Sequence, residues 1–140
     1  MCIFCKIIKG DIPADRVFDN PKYMAFLDIN PVNKGHTLVI PKEHYETMLD
    51  MDSVDFSELM DITHKVAKGV MKSVKPDGYN IIINNHSASG QEVPHIHVHI
   101  IPRHSNDPFK GRYQTMKYDS DEEKESIKES IRDVIDMSAL

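Results

Sequence analysis

The sequence predicts a single globular unit that combines β-strands with two helices. Its 140 residues suit one domain with a buried core, and a hydrophobic content of 40% is ordinary for a soluble protein. Short apolar runs lie on both sides of one long amphipathic segment, and a second amphipathic segment lies near the C-terminus. Since no internal repeat or low-complexity linker divides the chain, we expect these elements to share one core.

The first elements are predicted to form an antiparallel meander. Three β-like runs lie at Arg16–Phe18, Tyr23–Asp28 and His36–Pro41. Asn20-Pro21 and the turn-rich segment 30–35 separate them, because proline, glycine and asparagine favour the backbone angles of turns.

A long helix is predicted to follow the meander. Asp52 or Ser53 can cap its first turn, and Pro76-Asp77-Gly78 ends it. Apolar residues recur along it with helical spacing and predict a face that packs into the core. They are Phe56, Leu59, Met60, Val66, Ala67, Val70, Met71 and Val74.

Two neighbouring strands and a terminal helix complete the prediction. The strands are Tyr79–Asn84 and a histidine-bearing strand, joined by the polar loop Asn85–Glu92. Ser120 with Glu123 forms a capping-box pattern at the start of the terminal helix. Its narrow apolar stripe predicts packing on a surface of this chain or of a partner. The stripe consists of Ile127, Ile131, Val134 and Ile135.

The strongest functional signal is the alternation of histidine with apolar residues at His95, His97 and His99. Successive side chains of a strand point to opposite faces, so the three rings share one face. They could ligate a catalytic metal, one ring could be a nucleophile toward phosphorus, or all three could be structural. The preceding segment, Asn84–Gln91, carries small and hydroxyl-bearing residues rather than carboxylates and resembles an anion-binding turn, which favours the nucleophile.

The two cysteines, Cys2 and Cys5, form one C-x-x-C pair. The pair could bind zinc, act as a redox motif or be inert, and a zinc site would need two histidines to complete it. A formal net charge of −5 argues against nucleic-acid binding and against an anionic membrane surface. The N-terminus lacks the long apolar segment of a signal peptide, so the expected compartment is the cytoplasm.

These residues carry a family resemblance. The chain is similar, over roughly residues 2–104, to the Hint-like branch of the histidine-triad (HIT) superfamily, and especially to its bacterial-type Hit proteins. The matching segments are 3–8, 11–13, 25–29, 35–42, 90–91 and 95–101. The resemblance implies an α+β fold with a five-stranded antiparallel sheet, a long helix and a C-terminal helix. It also implies a homodimer with a ten-stranded sheet, a HIT domain at 1–106, and a C-terminal extension at 107–140 whose helix packs on the same domain or on the dimer partner.

The implied activity is hydrolysis of nucleoside phosphoramidates or adenylylated small molecules. His97 would attack the α-phosphorus of a purine nucleotide derivative and form a nucleotidyl-histidine, with His99 at the phosphate or the scissile bond. A diadenosine-polyphosphate hydrolase and a nucleotide-binding regulatory module with incidental activity are the alternatives. The implied nucleotide-binding residues are Phe4, Ile7, Phe26, Asp28, Ile29, Asn84, Gly90, Gln91, Val93, His97 and His99.

The resemblance also implies a structural zinc ion held by Cys2, Cys5, His44 and His95, which would leave no open position. His36 is assigned a supporting hydrogen bond. One departure concerns Glu92, because many relatives carry serine or threonine after the glutamine. A carboxylate there would repel phosphate if it pointed inward, so we expect it to point outward or to pair with a base.

Overall fold

The computed structural model describes residues 1–108 and 115–138. The chain forms three helices and five strands in these parts, and two single 3₁₀ turns at Met48–Asp50 and Ser87–Ser89. The regular elements, in chain order, are α1 (Ile3–Lys9), β1 (Arg16–Asp19), β2 (Tyr23–Leu27), β3 (Thr37–Pro41), α2 (Ser53–Val74), β4 (Gly78–Ile83), β5 (Val98–Arg103) and α3 (Asp121–Ser138).

The five strands form one antiparallel sheet in the order β1-β2-β3-β5-β4. The predicted meander is β1 to β3, and β4 and β5 are neighbours as expected. After α2 the chain adds β4 at the edge of the sheet and β5 between β3 and β4. His99 of β5 therefore pairs with Leu38 of β3 on one side and with Ile82 of β4 on the other. The predicted five-stranded α+β fold is therefore confirmed, with the histidine strand in the interior of the sheet.

Regular pairing of the histidine strand begins only at Val98. The preceding backbone is bonded to loops instead, because the Ile96 N–H donates to the Tyr45 carbonyl (2.7 Å) and the His95 N–H to the Val93 carbonyl (2.8 Å). The alternation nevertheless holds. Ile96, Val98 and Ile100 are fully buried in the main core, and the three histidines take the opposite face.

The long helix α2 covers one face of the sheet. The Asp52 side chain accepts from the Asp55 N–H (2.8 Å) at its start, and Lys75 adopts a left-handed conformation at its end, directly before Pro76. Leu59, Val66 and Val70 are fully buried in the main core, as the helical spacing predicted.

The terminal helix α3 packs on α2 of the same chain. Its first turn is capped by Ser120, whose Oγ accepts from the Glu123 N–H (3.0 Å). Ile131 and Ile135 are buried against Gly69, where an added Cβ would lie 2.9 Å from the Ile135 side chain. Glycine is therefore required at position 69 for the close approach of the two helices. The predicted extension 107–140 also includes 109–114 and 139–140, which lie outside the described residues.

The N-terminal helix α1 covers the other face of the sheet, and no pattern in the sequence predicted it. Cys2 caps it by accepting from the Cys5 N–H (3.3 Å), and Gly10 ends it with φ +86°. Phe4 and Ile7 pack into a second core cluster. Because both faces are covered, every residue of β2 and β3 is buried.

Within residues 1–108 and 115–138, no helix combines the length and the apolar character that crossing a bilayer requires.

Candidate active site

A cavity of about 390 Å³ lies between α1 and the sheet face that carries the histidines. Ten of the eleven predicted nucleotide-binding residues line it: Phe4, Ile7, Phe26, Asp28, Ile29, Asn84, Gly90, Val93, His97 and His99. Sequence reasoning missed several apolar lining residues around them, which are Ile3, Ile12, Pro13, Ala14, Val32, Leu38, Ile82 and Ile101. Thr115, beyond the undescribed segment 109–114, also lines the cavity.

One end of the cavity is an apolar slot. The Phe4 ring meets Phe26 edge to face at 5.4 Å between centroids, and it meets His97 at 5.1 Å. Ile29 forms the outer wall and is 76% exposed, which places it at the mouth. A flat aromatic ligand would gain burial here without a demand for hydrogen bonds specific to one base.

The Asp28 carboxylate is part of the cavity wall. Its side chain accepts from the Asn30 N–H (2.9 Å), and the other oxygen lies 3.5 Å from His36 Nε2. Burial raises the pKa of Asp28, and the nearby Glu92 charge adds to this effect. The carboxylate can still accept hydrogen bonds from a polyol such as a ribose.

Hydrogen bonds fix the tautomers of His36 and His99. The Val32 N–H donates to His36 Nδ1 (3.0 Å), so the neutral ring carries its proton on Nε2. That proton is donated to His99 Nδ1, 2.9 Å away, which confirms the supporting hydrogen bond predicted for His36. His99 must then carry its own proton on Nε2. Its free donor is therefore available to the cavity that it lines.

The His97 ring has the opposite tautomer. Its Nδ1 lies 2.8 Å from the His95 carbonyl oxygen, which accepts a hydrogen bond and so keeps the proton on Nδ1. The lone pair is left on Nε2, the nitrogen that a nucleophile needs. Burial lowers the pKa of His97, although the hydrogen bond to the His95 carbonyl and, to a smaller extent, the Glu92 charge act against this. The ring is therefore neutral at pH 7 and available for attack.

The neighbouring rings are also neutral. Burial lowers the pKa of His36 to about 3 and that of His99 to about 4, and nearby histidines add to both shifts. The described lining residues include no lysine or arginine. Their charged groups are therefore the carboxylates of Asp28 and Glu92.

The predicted anion-binding turn is present, with Gly90 at φ +104°. The Gly90 N–H bonds to Ser87 and the Gln91 N–H to His86, whereas the N–H groups of Glu92 and Val93 have no partner among the described residues. The turn therefore leaves two backbone donors beside the cavity, where the Asn84 side chain also lies.

The Gln91 side chain braces this turn. Its Oε1 accepts from the His86 N–H and its Nε2 donates to the Glu46 carbonyl, each at 2.6 Å. The side chain is buried by these contacts and is not among the described groups that line the cavity.

A separate cluster joins the four predicted metal-binding residues. The Sγ atoms of Cys2 and Cys5 lie 3.4 Å apart, and their distances to Nδ1 of His44 and His95 are 3.3 to 3.7 Å. A zinc tetrahedron requires about 3.8 Å between two sulfurs and about 3.6 Å between sulfur and nitrogen. His95 Nε2 donates to the Pro41 carbonyl (2.8 Å), which keeps its Nδ1 free to bind a metal. The donor set and its spacing therefore fit zinc.

Asp28, His36 and His99 form a second group of possible metal ligands. His36 Nδ1 accepts from the Val32 N–H, so only Nε2 could bind a metal. That nitrogen carries the ring proton, which it donates to His99. We therefore interpret this group as a hydrogen-bonded chain.

The sheet order and the strand-borne histidines are those of a histidine-triad domain, and the HIT domain model matches residues 9–106. The chain therefore belongs to the HIT family, as its sequence motifs indicated. An uncharacterised HIT-like protein of Methanocaldococcus jannaschii is 47% identical over 129 residues, which are 91% of this chain and 99% of that protein. The adenosine 5'-monophosphoramidase hnt1 of Schizosaccharomyces pombe is 43% identical over 102 residues, 73% of this chain and 74% of the relative.

Among solved structures, a zinc-bound histidine triad family protein of Mycobacterium smegmatis superposes with a TM-score of 0.84 at 32% identity. The match covers 99% of this chain and 95% of that one. This similarity confirms the fold over the whole described chain.

The buried histidines predict a loss of stability in acid. An unfolded histidine titrates near 6.5, whereas the folded pKa is about 3 for His36 and about 4 for His99. Between these values the unfolded chain binds protons that the folded chain excludes, so stability rises with pH in this window and is constant above it. We expect each ring to cost about 3 kcal/mol at pH 4, offset in part by the raised pKa of Asp28.

Urea unfolding between pH 4.5 and 8 measures this effect. Replacing His64, an exposed histidine on α2, with glutamine should leave the pH profile unchanged, whereas His36→Gln should flatten it. A stability that stays constant down to pH 4.5 in the native chain would contradict the assignment of neutral rings.

Proposed function

We propose that the protein hydrolyses nucleoside phosphoramidates or related adenylylated compounds through a covalent nucleotidyl-His97 intermediate. The observation that carries the proposal is the tautomer of His97, which keeps a lone pair on Nε2 of a neutral ring that lines a nucleotide-sized cavity. The similarity to a protein named adenosine 5'-monophosphoramidase supports the same reaction class.

The substrate would lie along the cavity with its purine base in the apolar slot formed by Phe4, Ile7, Phe26 and Ile29. Asp28 would accept hydrogen bonds from the ribose hydroxyls. The phosphoryl oxygens would then meet the donors at the far end of the cavity. These are the Asn84 amide, the Nε2 proton of His99 and the turn from Gly90 to Val93, which Gln91 braces.

The reaction would proceed in two displacements. His97 Nε2 forms a bond to phosphorus as the bond from phosphorus to the amine nitrogen breaks, and the amine takes up a proton from water. The nucleotidylated ring carries a positive charge, which the His95 carbonyl stabilises by accepting a hydrogen bond from the Nδ1–H group. Water then attacks phosphorus and the bond to His97 breaks, which releases a nucleoside monophosphate and restores the neutral ring.

Charge favours the phosphoramidate over a diadenosine polyphosphate. A polyphosphate needs cations to neutralise it, and the described lining offers two carboxylates and neutral rings.

We expect kcat/KM for adenosine 5'-phosphoramidate to exceed that for diadenosine tetraphosphate by about 100-fold or more, which corresponds to about 2.7 kcal/mol. Nucleotide release followed by chromatography, without added divalent metal and then with magnesium, measures both rates. A faster reaction with the tetraphosphate under both conditions would favour the polyphosphate hydrolase instead.

We further propose that Cys2, Cys5, His44 and His95 hold a structural zinc ion. Four protein ligands would close the tetrahedron, so the ion would supply no open position for a substrate or a reactive water. The zinc-bound state of the Mycobacterium smegmatis protein supports the presence of a metal in this family.

We also propose that two copies form a homodimer through the β4 edge, to give one ten-stranded sheet. β4 is an outer strand of the sheet, and Tyr79 (54%) and Ile81 (38%) on it are exposed. A bare apolar edge is a template for pairing with another strand. Sedimentation equilibrium should give twice the chain mass, and Ile81→Lys should shift the protein toward monomer, whereas Leu49→Lys at another exposed apolar position should not.

A further inference from the structure

Glu92 is among the residues that line the nucleotide cavity. The sequence predicted that its carboxylate would point outward or pair with a base, and the side chain is exposed. The carboxylate makes no ion pair or hydrogen bond with the described residues. Its charge helps to raise the pKa of Asp28 and opposes the burial that lowers the pKa of His97. Position 92 therefore adds to the cavity wall an exposed carboxylate with no ion-pair partner among the described residues.

The geometry of the displacement at phosphorus indicates which part of the substrate would lie near Glu92. In an in-line displacement the leaving group departs on the side of phosphorus opposite the nucleophile. His97 is buried, with 5% of its surface exposed, so a departing group opposite it would face the solvent side of the cavity. Glu92 is the exposed charged residue of the described lining, which puts it on the solvent side as well.

The described lining therefore presents a net negative charge to the leaving group. Asp28 lies deeper and is engaged by the Asn30 N–H, and the histidine rings carry no charge at pH 7. No described lysine or arginine lines the cavity to offset Glu92. A cationic group at the mouth would be attracted to this carboxylate, and an anionic group would be repelled.

We propose that Glu92 determines leaving-group specificity, and that it favours nucleoside phosphoramidates whose amine carries a second, positively charged group. This inference rests on the proposed hydrolase function and extends it to one substrate class. Acidic leaving groups, such as the amine of an amino acid with a free carboxylate, are disfavoured by the same residue.

Three matched substrates test the proposal. Each is an adenosine 5'-phosphoramidate of a three-carbon amine, and the far end carries an ammonium, a hydroxyl or a carboxylate group. We expect the native protein to prefer the ammonium over the carboxylate substrate by about tenfold in kcat/KM at low ionic strength. The preference should shrink in about 1 M salt, where the Debye length is about 3 Å.

Glu92→Gln keeps the shape of the side chain and removes its charge, so the ratio between the ammonium and carboxylate substrates should fall toward one. Glu122→Gln is the matched control, because Glu122 is an exposed carboxylate on α3 outside the cavity lining. A uniform change of all three rates in Glu92→Gln, with an unchanged ratio, would show that Glu92 acts on His97 rather than on the leaving group and would overturn the proposal.

A binding measurement separates this proposal from the proposed function. Calorimetry with AMP and ATP requires no turnover, and Glu92→Gln should tighten ATP binding relative to AMP by about threefold to tenfold. If no phosphoramidate reacts but this shift is present, the hydrolase function fails and the charge effect of Glu92 stands. If all three substrates react with a ratio near one in the native protein, the hydrolase function stands and the specificity proposal fails.

Discussion

Replacing His97 with alanine is expected to lower turnover of adenosine 5'-phosphoramidate by about 10⁴-fold or more, because the reaction loses the atom that bonds to phosphorus. No other described ring in the cavity can substitute for it. His99 carries its proton on Nε2, and His36 Nε2 is bonded to His99. Affinity for AMP should change by less than about tenfold, since the slot and Asp28 remain.

Two further variants make this result decisive. His97→Gln fills the buried space that alanine would leave beside Phe4, and it should be equally inactive while melting near the native temperature. His64→Ala, at an exposed position of α2, should retain full activity. Mass spectrometry of rapidly quenched native enzyme should find a nucleotidyl group on the peptide with His97. Turnover within about tenfold of native in His97→Ala would refute the mechanism.

Removing the proposed zinc ion is expected to have the largest effect on stability. The four donors tie the start of α1 to the loop with His44 and to the backbone before β5, so their loss frees the N-terminal segment. We expect Cys5→Ser or exhaustive chelation to lower the free energy of unfolding by about 2 to 4 kcal/mol. Circular dichroism during thermal unfolding measures the change, and elemental analysis should find one zinc ion per native chain.

A control variant and the order of events on chelation separate a structural ion from a catalytic one. His64→Asn removes an exposed imidazole outside the cluster and should change neither zinc content nor melting temperature. Immediate loss of rate on chelation, with the melting temperature preserved, would indicate a catalytic ion. A native protein that contains no zinc and is insensitive to chelators would contradict the proposal entirely.

The sequence predicted those strands and helices whose apolar residues recur with a clear periodicity. The alternation from His95 to His99 placed the rings on one face, although regular pairing begins at Val98, and the spacing of apolar residues in α2 identified its buried side. It did not predict α1. Seven residues give too short a periodic signal, and this helix depends on its Cys2 cap and on burial against the sheet.

The sequence predicted which residues line the cavity better than it predicted their contacts and protonation. Ten of the eleven residues that the family motifs predicted to bind nucleotide line the cavity, whereas the contacts of Gln91 depend on Glu46, a distant residue in sequence that no local pattern connects to it. The tautomers of His36, His97 and His99 depend on backbone groups that only the tertiary fold brings together. The place of Glu92 in the cavity lining likewise depends on the path of the turn and not on its residue type.

The helix α1 has a consequence for how the two sites respond to ligands. It carries two thiols at its start, and Phe4 and Ile7 on its buried side form part of the slot. The proposed metal and the proposed nucleotide would therefore both be held by the same short helix, and each would restrict its motion. By thermodynamic linkage, if a bound metal ion increased the affinity for the nucleotide, the bound nucleotide would increase the affinity for the metal ion by the same factor.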